Sequence, residues 1–164
     1  MGDRMSNLKP LQDIWAVALK EKGLENDYKD CFGCGPENLK GLQIKSFWDG
    51  KQAICRWKAE PHHNGVKGML NGGIIASLID CHSFWTALAA TYHNERRQFG
   101  DGKPIKMVTA SISVRYIHPI MIDSEVELKA HLAKVGNRSK VVLCSVYADG
   151  KECAQGEVTL VHLF

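Results

Sequence analysis

The chain has little of what would mark it for nucleic acid, membrane or the extracellular space. Its 21 basic and 18 acidic residues leave a formal charge of only +3, spread along the sequence. No basic patch for a polyanion follows from that, although an anionic small molecule remains compatible. No apolar run reaches about 18 residues without a polar interruption, so no membrane span is expected. The first residues lack the charged-then-apolar layout of a signal peptide. Neither an internal repeat nor a low-complexity tract is present. Six cysteines, Cys31, Cys34, Cys55, Cys81, Cys144 and Cys153, are scattered without the paired spacing of a disulfide framework. They read as reduced core thiols, which places the protein in the cytoplasm.

Only Cys31 and Cys34, in Cys31-Phe32-Gly33-Cys34-Gly35, have the spacing of a metal knuckle. A structural zinc takes four ligands and usually a second close pair. His62 and His63 could supply one, but nothing in the sequence fixes where they lie. The segment therefore reads as a tight loop between buried thiols, with no metal expected.

What is present is one very apolar helix. Residues 73–92 are hydrophobic on nearly every face, as in a helix enclosed by a core. Asp80 lies inside that run. An unpaired carboxylate there costs several kcal/mol or takes up a proton, so it calls for a hydroxyl partner, a facing subunit or a catalytic role. Before it, residues 9–22 repeat Leu11, Ile14, Trp15, Ala18 and Leu19 at helical spacing and end at Gly23. Residues 42–48 and 52–58 alternate around Asp49-Gly50, a hairpin signal. Past a polar stretch at 93–103, the most mobile candidate, strands are expected at 107–117, 125–133, 139–148 and 152–163, the last two joined by Asp149-Gly150. In the first of these, Thr109, Ser111, Ser113 and Arg115 fall on one face, and Ala110, Ile112, Val114 and Tyr116 on the other. Half-polar alternation suits antiparallel strands with one covered face. An α+β fold follows: five or six antiparallel strands wrapped around one long central helix, with an extra helix at the N-terminus.

Three motifs in this order resemble those of one group. They are Cys31-Phe32-Gly33-Cys34-Gly35-Pro36-Glu37-Asn38 with Gly41-Leu42; Asn71-Gly72-Gly73 followed by Asp80; and Thr109 with Arg115-Tyr116-Ile117-His118-Pro119. Together they resemble the hotdog-fold acyl-CoA thioesterases of the PaaI-like family. The resemblance spans residues 31–164 as the thioesterase domain and leaves residues 1–30 as an N-terminal helical extension. The family usually has His-Gly-Gly where this chain has Asn71, which can cap a helix but cannot become an imidazolium.

The resemblance implies hydrolysis of an acyl-CoA thioester. The Gly72 or Gly73 amide would polarise the carbonyl, and Asp80 would act as nucleophile or as general base toward water. Thr109 would orient the water or the carboxylate. Arg115, Arg138, Ser139 and Lys140 would hold the nucleotide of coenzyme A, with an amide of Gly136-Asn137 beside them. Phe84, Trp85 and the 93–103 stretch would line the acyl pocket. No cofactor or metal is implied beyond the coenzyme A of the substrate, and the chain is expected to assemble as a dimer or a dimer of dimers sharing active sites. Two other readings on the same fold stand beside it: a non-catalytic acyl-CoA sensor, and an enoyl-thioester hydratase using Asp80 with His82. The two side chains of that last pair diverge, being two residues apart on a helix.

Overall fold

Apolar periodicity and turn residues account for most of the architecture. A computed structural model describes residues 5–163. In chain order it has α1 (Leu11–Glu21), β1 (Phe47–Trp48), β2 (Ala53–Lys58), a 3-10 turn at Pro61–His63, α2 (Gly72–Asn94), β3 (Met107–Tyr116), β4 (Glu125–Val135), β5 (Ser139–Ala148) and β6 (Lys151–His162). The six strands form one antiparallel sheet in the order β1-β2-β4-β5-β6-β3. The concave face encloses α2, where Leu78, Ile79, Trp85, Leu88 and Tyr92 are essentially inaccessible to solvent. At Asp149-Gly150 both residues take positive φ (50° and 75°), so the tight β5–β6 turn needs this pair.

α2 spans 23 residues and holds an 18-residue window of mean hydropathy 1.3, enough to cross a membrane by length and composition alone. Some 61% of the window is buried inside the molecule, which marks α2 as a core helix.

The strand expected over 42–48 shrinks to Phe47–Trp48. Its backbone is satisfied elsewhere: Leu42 and Ile44 donate to the carbonyls of Phe32 and Gly33, and Ser46 accepts from Leu11. Gln43 takes a positive φ of 52°, which breaks an extended strand. The N-terminal helix packs into the main core. Leu11, Trp15 and Leu19 are buried, and Trp15 meets Trp85 and Tyr92 edge-on with ring centroids 6.2 Å apart. Truncating an aromatic held like this costs about 3–5 kcal/mol.

A buried polar chain ties α1 and α2 to the sheet. His82, fully buried, has Nε2 3.1 Å from the carbonyl of Ala53 and Nδ1 2.8 Å from the hydroxyl of Ser46. Gln12 closes the chain, accepting from the Ser46 amide and donating to its hydroxyl. A carbonyl only accepts, so Nε2 carries the proton and Nδ1 accepts from Ser46. Burial pushes the imidazole down to about 4 from an ordinary 6.5. The folded chain therefore keeps His82 neutral down to about pH 4, while the unfolded chain protonates near 6.5. The stability this contributes is complete above pH 6.5 and is lost as pH falls toward 4. In urea titrations, His82→Gln should be less stable than wild type at pH 7.5, and the gap should narrow by about 2–3 kcal/mol at pH 4.5. A gap independent of pH would show that His82 titrates normally in the folded chain.

Candidate active site

Asp80 lies on the one face of α2 that the sheet does not close, and it is partly buried rather than sealed in the core. Thr109 on β3 donates its hydroxyl to Asp80 Oδ1 at 2.7 Å. The carboxylate therefore has the hydroxyl partner that its place in an apolar helix calls for.

That bond depends on a β-bulge. The β3–β6 register slips between Thr109 and Ser111: Thr109 opposes Leu160, Ile112 opposes Val158, Val114 opposes Gly156 and Tyr116 opposes Ala154. The β6 partners step by two, so Thr109, Ile112, Val114 and Tyr116 all face α2, with Ala110 as the extra residue. This corrects the simple alternation, which put Thr109 and Arg115 on one face. Arg115 opposes Gln155 on the outer surface, away from Asp80. Tyr116 is the residue that sequence reasoning missed. Its hydroxyl donates to the carbonyl of Gly72 at 2.7 Å, fixing the start of α2.

Asn71 caps that start. Its side-chain oxygen accepts from the amides of Gly73 (2.8 Å) and Ile74 (3.3 Å), and its carbonyl accepts from Ile75. Gly73 is thereby engaged, and the amide of Gly72 is the one in the first turn with no acceptor among the described residues. It opens toward a groove of about 380 Å³ lined by Val66, Met69, Ile75, Tyr116, Ile117 and Pro119. A free amide at a helix N-terminus beside an apolar groove suits an acyl group whose carbonyl oxygen gains negative charge.

The proposed nucleotide-binding residues are not brought together within one chain. Arg138 accepts through its carbonyl from His162, whereas Arg115 opposes Gln155 on the same strand. Seven residues of β6 separate the two positions, about 23 Å of extended chain. Lys140 opposes Leu160, as Thr109 does from the other side, so it lies on the concave face about 10 Å from Thr109. It is 7% exposed; Ser139 is half-buried and Arg138 exposed.

Phe84 and Trp85 do not line an open pocket. Tyr28 covers Phe84 with centroids 4.9 Å apart, and Trp15 and Phe99 close over Trp85, because the N-terminal segment occupies that side. His82 has both ring nitrogens engaged in the core, so it cannot pair with Asp80 in a hydratase. His63 accepts from the Glu60 amide through its ring and packs that ring on Trp57, while its carbonyl accepts from the amide of Asn71 at the start of α2.

The comparisons with known proteins agree with this geometry. Residues 67–154 match the thioesterase superfamily. The chain is 31% identical to acyl-coenzyme A thioesterase 13 of Mus musculus over 111 residues, 66% of this chain and 71% of the relative. It spans only 40–60% of the length of three other curated relatives that it matches. Among solved structures, a thioesterase superfamily protein from Shewanella loihica aligns with 30% identity and a TM-score of 0.58, over 74% of this chain and 91% of that one. The PaaI protein of E. coli, from the phenylacetic acid degradation operon, aligns over 94% of both chains at 15% identity with a TM-score of 0.65, a likeness of fold alone. With a six-stranded antiparallel sheet around a single long helix, and more than half its length matching the family, the chain belongs to the thioesterase superfamily and has the hotdog fold.

Proposed function

We propose that the protein hydrolyses an acyl-CoA thioester to a carboxylic acid and coenzyme A, with Asp80 and the Gly72 amide as its reacting groups. The observation that carries this reading is the Thr109–Asp80 hydrogen bond on the open face of the core helix of a thioesterase-superfamily chain. Binding alone would not call for a carboxylate held there, which sets the sensor reading behind. Thr109 holds Oδ1 and leaves Oδ2 to the substrate. Oδ2 either takes a proton from the attacking water or itself attacks the thioester carbon to give a mixed anhydride that water then opens. In both routes the carbonyl oxygen becomes negative against the Gly72 amide, the carbon–sulfur bond breaks and coenzyme A leaves as thiolate. Neither route draws on a group beyond the chain, its substrate and water. The scattered free thiols suit a reducing compartment such as the cytoplasm.

The two reacting groups belong to different subunits. Gly72 and Asp80 are eight residues apart, about 12 Å along the helix. A single carbonyl must lie roughly 3 Å from both donor and attacking oxygen. β3 is an edge strand of ten residues whose helix-facing Ile112 and Tyr116 are 41% and 54% exposed. Such an edge invites pairing with a second copy, as a dimer or within a dimer of dimers. Two antiparallel α2 helices then set Gly72 of one protomer against Asp80 of its partner.

A panel of acyl-CoAs with thiol detection tests the activity. Asp80→Asn should abolish thiol release by at least about 1,000-fold while leaving the fold and acyl-CoA binding intact. Thr109→Ala should lose less and Thr109→Ser least. Activity of Asp80→Asn within a few-fold of wild type would overturn the assignment.

Phosphate contacts of Arg138, Ser139 and Lys140, and of Arg115, are part of the same reading. Arg138→Ala and Arg115→Ala should each raise KM for a CoA ester about 10-fold or more beyond their effect on an ester of a truncated thiol without the nucleotide. Equal effects on both esters would remove that arginine from the nucleotide site.

Mixing two inactive variants tests the shared site. Proline fits the first helical position, Asn71 already has the extended backbone that precedes a proline, and a Cβ at Gly72 would meet only ordinary contact at 3.4 Å from Tyr116. Gly72→Pro thus deletes one amide and keeps the helix. After subunit exchange with Asp80→Asn, heterodimers hold one intact site of two, so about a quarter of wild-type activity should return. No recovery despite proven exchange would place both groups in one chain.

A further inference from the structure

Three thiols that play no part in that chemistry meet one residue beyond Asp80. Cys31 and Cys34 come from the loop before β1, and Cys81 comes from α2. Their sulfurs all lie within 4.8 Å of one another, with Cys31 and Cys81 3.8 Å apart. A zinc–sulfur bond of about 2.3 Å places two thiolates of a tetrahedral site about 3.8 Å apart. The pair missing from the sequence reading is replaced by a third sulfur contributed across 50 residues.

The loop is shaped to present sulfur. Gly35 donates to the Cys31 carbonyl, closing the Cys-Phe-Gly-Cys turn, and Gln43 ties the turn to the segment that follows it by donating to the carbonyls of Gly35 and Asn38. A Cβ at Gly33 would come within 2.3 Å of the Cys81 sulfur, so only glycine lets the loop approach the helix this closely. Donors are aimed at the sulfurs: the buried indole N–H of Trp85 lies 3.1 Å from Cys34 Sγ. Hydrogen bonds from the Cys34 and Cys81 thiols, aided by the backbone amides of Cys34 and Gly33, lower the Cys31 thiol. The hydrogen bonds with Cys31 raise Cys34 and Cys81 in turn. The strongest influences on each of the three sulfurs are the other two and burial. Donors that stabilise thiolate, with no cationic side chain among those influences, fit an ion that takes soft ligands.

We infer that Cys31, Cys34 and Cys81 bind one thiophilic d10 metal ion, with zinc(II) as the first choice, in a site separate from the thioesterase chemistry. All three would bind as thiolates. Binding would therefore release the protons these thiols carry. The three sulfurs leave the fourth position to water or an added ligand. The ion would clamp the loop to α2 directly beside Asp80.

The test uses the whole chain, reduced with a phosphine, stripped with chelator and titrated anaerobically with Zn²⁺ or Co²⁺. One ion per chain should bind, Co²⁺ should give thiolate-to-metal charge-transfer absorption, and calorimetry in buffers of different ionisation enthalpy should show proton release. Cys34→Ser and Cys81→Ser should each weaken binding at least about 100-fold. Cys55→Ser and Cys144→Ser, buried elsewhere, should not. One equivalent of Zn²⁺ should also protect Cys31 and Cys81 of the wild type from alkylation, a readout that needs no variant to fold. Absence of a charge-transfer band, full binding by Cys81→Ser, or alkylation rates unchanged by Zn²⁺ would each overturn the site. So would reduced protein that binds no metal but forms a Cys31–Cys34 or Cys31–Cys81 disulfide in air, which would make the cluster a redox pair.

Discussion

The hydrogen bond from Thr109 to Asp80 joins the core helix to the edge strand, and it exists because β3 carries one residue more than β6 between Thr109 and Ser111. Without that extra residue strict alternation would put Thr109 and Tyr116 on opposite faces, and either the carboxylate or the Gly72 carbonyl would lack its hydroxyl partner. The same half-turn of phase lets Tyr116, seven residues on, face α2 and hold the Gly72 carbonyl. One bulge thus fixes the helix at its start and again at its carboxylate. The groove at Gly72 and the open face at Asp80 both follow from it.

Around that edge the rest of the molecule is made rigid by burial. Trp15, Trp85, Tyr92 and Phe99 interlock on the side of α2 away from Asp80. Gln12, Ser46 and His82 form a polar chain with the donors and acceptors of its side chains matched, so it crosses the core without leaving an unpaired group. The N-terminal helix takes part in both. Its Trp15, with Tyr28 and Phe99, closes the side on which an acyl pocket lined by Phe84 and Trp85 was expected, which leaves the groove at the helix start as the open apolar surface nearest the free amide. Interlocked aromatics on one side and an exposed edge strand on the other give the helix one face to offer a partner or substrate.

The cysteines divide by the same logic. Cys55, Cys144 and Cys153 lie buried in strands, packed as small apolar groups. Cys31, Cys34 and Cys81 are gathered by a loop built for close approach to the helix. Spacing along the chain distinguishes only the first pair of these. The third becomes visible when α2 and the loop are packed together.

Much of the fold was legible in the sequence because its signals are local. The apolar run that became α2, the alternating strands and the Asp-Gly turns each depend on neighbours within a few residues. Asp80 stood out for the same reason, as a charge where periodicity demands an apolar side chain. Asn71 was readable as a helix cap by residue type and position. Tertiary structure decided what depends on distant partners. The strand expected over 42–48 lost most of its length because its backbone found the Cys31–Cys34 loop and α1 instead of β2. Thr109 and Arg115 parted because a bulge reverses the phase of alternation without changing composition. Gly72 was separated from Gly73 by a side-chain bond that took one amide and left the other. Side-chain period and turn preference are properties of a short stretch of chain, whereas register, hydrogen-bond allocation and the meeting of Cys81 with Cys31 are set by which surfaces are buried together.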